Sequence, residues 1–354
     1  MNRNRMNKKR MGRARVLSRA AAGMLAAALC FQPMTALAGP AGDSSLTSSS
    51  SNAGPGGGSG SSNSGSTGSS GGSTSVSNGG VSAVTSGLGV YRVTENEGIG
   101  AIARGVDVSY WQQNVNWSQV ASDNVQFAML ATRFRGNVDP FFAMNAANAS
   151  QAGLRLGAYI YSYATSVEMA QQEADFVLNL IKDYPISFPV VFDAEDANTL
   201  GTLTQSQVSD VINAFCKRIQ DAGYYPMVYA NEYWIANKID MSKISYDIWV
   251  AKYQQKYTYS KTSMWQASNT GSVKGVNGNV DIDYLYKDYT QIIPGNTWRT
   301  IAGNRYYYQN HVMQKSAWIN DGQNWYYMNA AGNPSKGWLE LSGKKYYLEA
   351  DGHM

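Results

Sequence analysis

From residue 100 onward the chain alternates short apolar runs with longer stretches in which apolar residues recur every three or four positions. "RGVDVSYW", "VQFAMLATRF", "RLGAYIYSYA", "FPVVFDAED" and "YPMVYANEYW" have the Val, Ile, Phe and Tyr content of strands. Between them "NWSQVASDN", "DPFFAMNAANASQAG", "SVEMAQQEADFVLNLIKD" and "TQSQVSDVINAFCKRIQDAG" carry the helical period, and Gly153 and Gly223 stand where helix C-caps belong. Beyond Trp234, "YDIWVAKY", "SMWQASN" and "VDIDYLY" follow one another across connections too short for full crossover helices. Repeated strand–helix units predict one α/β domain over residues 100–288, built on a parallel sheet. The sheet either closes as a barrel whose last three strands are lightly covered, or stays open and doubly wound.

The flanks follow other patterns. Residues 39–99 open on Ser, Gly, Asn and Thr almost without apolar side chains, so they cannot offset their ordering entropy and read as a disordered linker. Residues 1–38 hold eight Lys/Arg and no acid, then an apolar run from Ala20 to Phe31, then Ala36-Leu37-Ala38 as a small-residue cleavage site. That is the layout of a secretory signal peptide, with an apolar run too short for a comfortable permanent span. Leu29 ahead of Cys30 argues against a lipoprotein cleavage site. Residues 296–354 repeat: Trp298, Trp318 and Trp338 recur every twenty residues, as do the pairs Tyr306-Tyr307, Tyr326-Tyr327 and Tyr346-Tyr347. Such a unit, with two aromatic clusters and polar turns, predicts a β-hairpin that buries its face only by stacking on the next, giving a small hairpin solenoid.

Charge and cysteine narrow the chemistry. The full chain carries 29 basic and 25 acidic residues, but without residues 1–38 the balance is 21 against 25, a formal net charge of −4. No Lys/Arg stripe survives to neutralise phosphates, which sets nucleic acid aside as a partner. Beyond the signal only Cys216 remains, so no intramolecular disulfide forms, and its helical surroundings read it as a small buried apolar residue. The two histidines, His311 and His353, are far from the candidate acids, which argues against a His-based triad or metal site. What is left is carboxylate chemistry, with no cofactor and no metal called for.

"FPVVFDAED", residues 188–196, concentrates that chemistry. Alternation puts Val191, Asp193 and Glu195 on one face and Phe192, Ala194 and Asp196 on the other. In a parallel barrel functional groups gather at the C-terminal strand ends; Asp107 in the first strand and Asp281 in the eighth then meet Asp193 and Glu195 across one mouth. Crowded acids raise one another's pKa. One can hold a proton near neutrality while another stays ionised, the division that glycosidic cleavage through an oxocarbenium-like transition state needs. Acids at strand ends also cap helices and pair with Arg or Lys, and hard cations accept oxygen ligands alone, so structural and metal roles stay open. Asp196 has the wrong parity and reads as a cap or surface residue, and Asp139, Asp247 and Glu232 as structural. Among the rings near strand ends, Tyr159, Tyr229 and Trp265, with Tyr110, Trp111 and Tyr161, suit stacking on sugar faces, though each singly is also ordinary core.

"GVDVSYWQ", "FDAE", "IWVAKY" and "MWQASNTGSVKGVNGNVDIDYLY", taken in order over residues 102–288, resemble the family 25 glycoside hydrolases, the muramidases of the cellosyl type. The resemblance implies a (β/α)-barrel of five strand–helix units plus three strands. It also implies hydrolysis of the β-1,4 bond between N-acetylmuramic acid and N-acetylglucosamine in peptidoglycan. Carried over by motif, Glu195 is the proton donor, Asp193 its partner on the same strand, and Asp107 and Asp281 the acids of the first and last strands. Either the substrate's 2-acetamido group attacks the anomeric carbon with Asp193 orienting it, or an aspartate forms a covalent intermediate. The family commonly has Asn two residues after its last acid, whereas this chain has Asp283, an extra charge expected to shift the cleft's pH optimum upward. The C-terminal units resemble choline-binding or cell-wall-binding repeats. That resemblance implies a choline or other wall-polymer ligand, with at most one aromatic cage, from Trp325, Trp338 and Tyr346, because Arg305 and Lys345 replace the usual Trp in the other units. The resulting expectation is a secreted, wall-associated muramidase that acts on peptidoglycan strands and keeps no membrane attachment after signal cleavage. The alternatives are an N-acetylglucosaminidase or chitin-like glycan hydrolase, or a non-catalytic wall-binding adhesin.

Overall fold

The computed structural model describes residues 74–78 and 81–354; the expected signal peptide, residues 1–38, and much of the expected linker lie outside them. β1 (Thr74–Asn78), β2 (Val81–Ser86) and β3 (Gly89–Val93) form an antiparallel sheet in sequence order. This corrects the linker boundary of 99. "GVYRV" is a half-buried strand in which Tyr91, only 1% exposed, enters the core, while Asn124 accepts from the Arg92 N–H and donates to its carbonyl. One buried tyrosine and two half-buried valines, Val84 and Val93, fasten a stretch whose Gly/Ser-rich surroundings hid it.

Eight strands close into a barrel. In chain order, β4 (Ala103–Val108), α1 (Trp117–Ser122) and β5 (Phe127–Ala131) come first. The short hairpin of β6 (Arg133–Phe134) and β7 (Asn137–Val138) precedes α2 (Phe142–Gln151) and β8 (Arg155–Tyr161). Then follow α3 (Val167–Ile181), β9 (Ile186–Asp193), α4 (Gln205–Asp221), β10 (Pro226–Asn231) and α5 (Glu232–Asn237). β11 (Asp247–Ala251), β12 (Thr262–Gly271) and β13 (Val280–Leu285) complete the sheet. Helix starts carry the polar caps that satisfy free N–H groups: Asn116, Ser166 and Asn231 accept from the first turns of α1, α3 and α5, and Thr204 with Gln207 forms a capping box on α4.

The barrel order is β10-β11-β12-β13-β4-β5-β8-β9. Neighbours are parallel except at β13, which runs antiparallel to both β12 and β4. The expected all-parallel sheet is corrected there for a physical reason. The segment from Ser272 to Asn279 can reverse the chain, but it is too short to carry it back along the barrel as a parallel crossover requires. The reversal has a consequence: Asp281, near the start of β13, sits at the mouth where the other strands end, directly opposite Asp107.

Two apolar layers hold this arrangement. Phe127, Met129, Phe188, Val191, Met227, Trp249, Met264 and Leu285 fill the bore. Val106, Leu130, Ile160, Phe192 and Val228 face outward against helix residues such as Val177, Ile181, Ile212 and Phe215. Gly105 yields its space to Phe127, whose ring a Cβ would approach to 2.2 Å. Cys216 is buried within α4, and burial pushes its thiol far up, so it stays protonated and packs. Among the described residues no helix is long and apolar enough to cross a membrane.

The C-terminal region forms three hairpins: β14 (Thr297–Ile301) and β15 (Asn304–Gln309) with a short β16 (Val312–Met313), then β17 (Ala317–Asn320) with β18 (Trp325–Met328), and β19 (Gly337–Leu341) with β20 (Lys344–Leu348). The twenty-residue period becomes a stacking rule. Trp298 packs on Tyr307 of its own hairpin and Tyr326 of the next; Trp318 does the same with Tyr327 and Tyr346. The first hairpin is also fastened to the barrel. Arg299, 1% exposed, lies between the rings of Tyr224 and Tyr308 at 3.9 and 4.3 Å, and the Tyr308 hydroxyl donates to the Lys182 carbonyl.

Candidate active site

The strand pattern delivers the acids. Asp107 is the penultimate residue of β4, Asp193 the last of β9, and Glu195 follows two residues on; Val191, of the same parity, fills the bore, while Phe192 and Ala194 pack outward. With Asp281 from β13, these side chains line one cavity of about 440 Å³. Asp107 and Asp193 are buried, each 5% exposed, and Glu195 and Asp281 are partly exposed. None of the four is in an ion pair among the described residues.

Four carboxylates without a counter-ion resist ionisation. Burial raises Glu195, and the charges of Asp281 and Asp196 add to it. Burial, then Glu195 and Asp196, pushes Asp193 well up, and burial takes Asp281 up to about 6. Asp107 rises through burial, then through Asp281 and Asp283. A fixed network runs beneath. Gln266 donates to Asp107 at 2.7 Å and accepts from the hydroxyls of Tyr229 and Tyr253 at 2.8 and 2.7 Å. Among the described residues the Asp193 Oδ1 has no hydrogen-bond partner. Asp283, expected to bring charge into the cleft, is fully buried below it, where Trp249 Nε1 donates to one of its oxygens at 3.0 Å.

The aromatic expectations divide. Tyr159, Tyr229, Trp111 and Tyr161 line the cavity. Trp265 does not, which corrects its expected sugar contact: Met264 and Gln266 take the bore face of β12, so Trp265 points outward, packs on Tyr257 and Tyr284 and donates to the Lys252 carbonyl. The residues missed include Trp249, Tyr253 and Gln266, with Arg133, Phe134, Arg135 and Tyr163. Parity held the signal for two of them. Trp249 alternates with Ala251, and Gln266 with Met264, on bore faces. Asp196 organises its loop instead, accepting from Asn198, Thr199 and the Tyr161 hydroxyl. Among the described residues no three His, Cys, Asp or Glu side chains are grouped to hold a metal ion.

In the hairpins the expected three-ring cage is not assembled. Tyr346 is taken by Trp318, Trp338 packs on Tyr347 and is otherwise 75% exposed, and Trp325 is 48% exposed with no ring partner among the described residues. The stacking rule consumes the ring that the cage needed.

Comparisons with known proteins agree on one family. The model of the glycosyl hydrolases family 25 matches residues 106–276, and that of a cell wall binding repeat matches residues 316–333 and 336–354. Over 189 residues the sequence is 31% identical to the uncharacterized protein YegX of Escherichia coli K12, spanning 51% of this chain and 68% of that one. It is 30% identical over 195 residues to Lysozyme M1 of Streptomyces globisporus, spanning 50% of this chain and 66% of that protein. Among solved structures, the modular autolysin LytC from Streptococcus pneumoniae shares the fold with a TM-score of 0.50 at 22% identity, over 60% of this chain and 58% of that one.

Proposed function

Since the chain belongs to glycosyl hydrolase family 25 and is a glycoside hydrolase of the lysozyme type, we propose that it cleaves the β-1,4 bond between N-acetylmuramic acid and N-acetylglucosamine, with Glu195 as general acid. The observation that carries this reading is the cavity of four acids without a counter-ion, in which Glu195 is partly exposed and raised. Glu195 enters protonated and delivers its proton to the glycosidic oxygen as the bond to the anomeric carbon breaks. Among the described residues nothing donates to Asp193 Oδ1, which leaves it to accept from the substrate and favours the acetamido-assisted route. The 2-acetamido N–H donates to Asp193, its carbonyl oxygen closes on the anomeric carbon, and water then opens the ring while the Glu195 carboxylate takes the water's proton. Tyr159, Tyr229 and Trp249 supply apolar surface for sugar faces, and Gln266 fixes Asp107.

The wall-binding repeats hold the enzyme near polymeric substrate and raise its local concentration there. A cell wall lies outside the membrane, so the enzyme acts after export, a task suited to the basic-then-apolar segment 1–38. The test is digestion of purified peptidoglycan by the full mature chain, borohydride reduction, and mass spectrometry of the new ends. Reduced muramic acid is the expected product. Reduced glucosamine would move the scissile bond to its neighbour, and the absence of new ends would leave only a wall-binding protein.

A further inference from the structure

The cavity is electrically lopsided. Asp107, Asp193, Glu195 and Asp281 make one part of its lining, and the β6–β7 hairpin with its neighbours makes another. In the second part Trp111 is 66% exposed, Phe134 stacks on Tyr110 at 4.1 Å, and Trp111 meets Phe134 edge-on at 5.7 Å. Two arginines belong to this wall. Arg133 is occupied: it donates to the Tyr161 carbonyl, pairs with Glu173 and lies over the Tyr163 ring. Arg135 is exposed and, among the described residues, forms no ion pair; its guanidinium lies over the face of the adjacent Phe134, at 5.0 Å. It also holds a positive φ of 49°, which a glycine would adopt without strain. The turn does not ask for arginine. What arginine adds is a free guanidinium fork beside an aromatic wall, in a cavity whose other part carries four acids.

We propose that Arg135 binds a carboxylate carried by the muramic sugar and thereby sets which of the two alternating sugars lies on the cleaved side of Glu195. The proposal rests on the muramidase reading and adds to it the group that tells the sugars apart. Both sugars carry the acetamido group and the apolar faces that Asp193 and the rings would use. They differ in the lactyl ether of the muramic residue, which ends in a carboxylate or, through an amide, in a peptide stem bearing further carboxylates. Asp281, ionised above about pH 6, repels such a group, and a planar guanidinium donates to it in two parallel hydrogen bonds. Attraction at Arg135 and repulsion at Asp281 together fix the register of the strand.

The test uses the full mature chain and glycan strands in three forms: stems removed to free the lactyl carboxylate, the same strands with that carboxylate capped as a methylamide, and strands with stems intact. Wild-type kcat/KM is expected to favour the free over the capped form by about tenfold, equivalent to ~1.4 kcal/mol. Arg135→Ala should bring that ratio close to one and raise the share of reduced glucosamine ends, while Arg135→Lys, keeping charge without the fork, falls between. Intact strands cleaved like the free form assign the site to stem carboxylates as well; cleaved like the capped form, they assign it to the lactyl group alone. A wild-type ratio retained by Arg135→Ala, or absent from the wild type, overturns the proposal. Failure of the wild type to release ends from any strand overturns the muramidase reading itself, and this proposal with it.

Discussion

The two ends of β9 treat buried charge in opposite ways. At its C-terminal end Asp193 and Glu195 join two further carboxylates, and among the described residues none of the four is in an ion pair. At its N-terminal end the Ile186 carbonyl lies 3.5 Å from Nη2 of Arg299, a buried cation between two tyrosine faces. Nearby His311 is pushed down to about 4 by burial and the charge of Arg299, so it stays neutral and adds no repulsion. One end gathers like charges that resist ionisation, and the other surrounds one charge with rings that stabilise it. The difference separates a site from a joint. Crowded acids weaken the fold and serve proton transfer; the enclosed arginine serves attachment of the first hairpin.

The comparison breaks most sharply at Glu195. Replacing it by Gln removes the proton without changing shape, so kcat should fall about 10³-fold, within the range for general acid catalysis. The melting temperature should hold or rise, because a raised carboxyl has been neutralised. A variant that digests wall glycan at the parent rate would remove Glu195 from the mechanism. Arg299→Ala should do the reverse. It deletes two ring contacts and leaves a void, costing about 2–4 kcal/mol of stability, while kcat on soluble glycan below the melting temperature stays at the parent value. A parent-like melting curve would show that the enclosed cation holds nothing together.

Asp281 sharpens the same contrast through pH. Its pKa of about 6 lies above the unfolded value of 3.8, so the native state binds more protons between those limits. Its contribution to stability is therefore complete below about pH 4 and is lost as pH rises through 6. Asp281→Asn should match the parent in thermal melts near pH 4 and exceed it above pH 6.5 by about 1–2 kcal/mol, the full shift being discounted for partial solvation. Equal melts at both pH values would show that Asp281 carries no penalty.

Much of this was legible because strands impose a period of two. Asp107, Asp193 and Glu195 could be placed from parity alone, and the twenty-residue repeat foretold the hairpins. What escaped depended on contacts distant in the chain. The "VQFAMLATRF" run reads as one strand, yet β5 ends at Ala131 and Arg133 to Val138 fold back as the hairpin that presents Arg135. Trp265 and Gln266 are adjacent, and β12 slips register beyond Gln266, so deciding which faces inward required pairing partners on β11 and β13. The seat of Arg299 was invisible for the same reason: Tyr224 closes a helix in the barrel, and the arginine belongs to a repeat.

The smallest effect concerns Asp283. Asn fits its place, since Trp249 Nε1 can still donate to the amide oxygen, so Asp283→Asn should fold normally with an unchanged tryptophan spectrum. It removes one of the negative neighbours that raise Asp107, whose carboxyl then ionises at lower pH. Asp281 owes its own rise to burial, so it and Glu195, which Asp281 holds up, keep theirs. Asp107 alone titrates lower, and the kcat/KM profile should move to lower pH by less than about one unit, one unit being 1.36 kcal/mol of differential interaction. Profiles that coincide would mean that Asp283 holds its proton throughout the working range and acts only as a hydrogen-bonding neighbour. A profile moved to higher pH would reverse the sign of the coupling and with it the account of why the acids of this mouth resist ionisation.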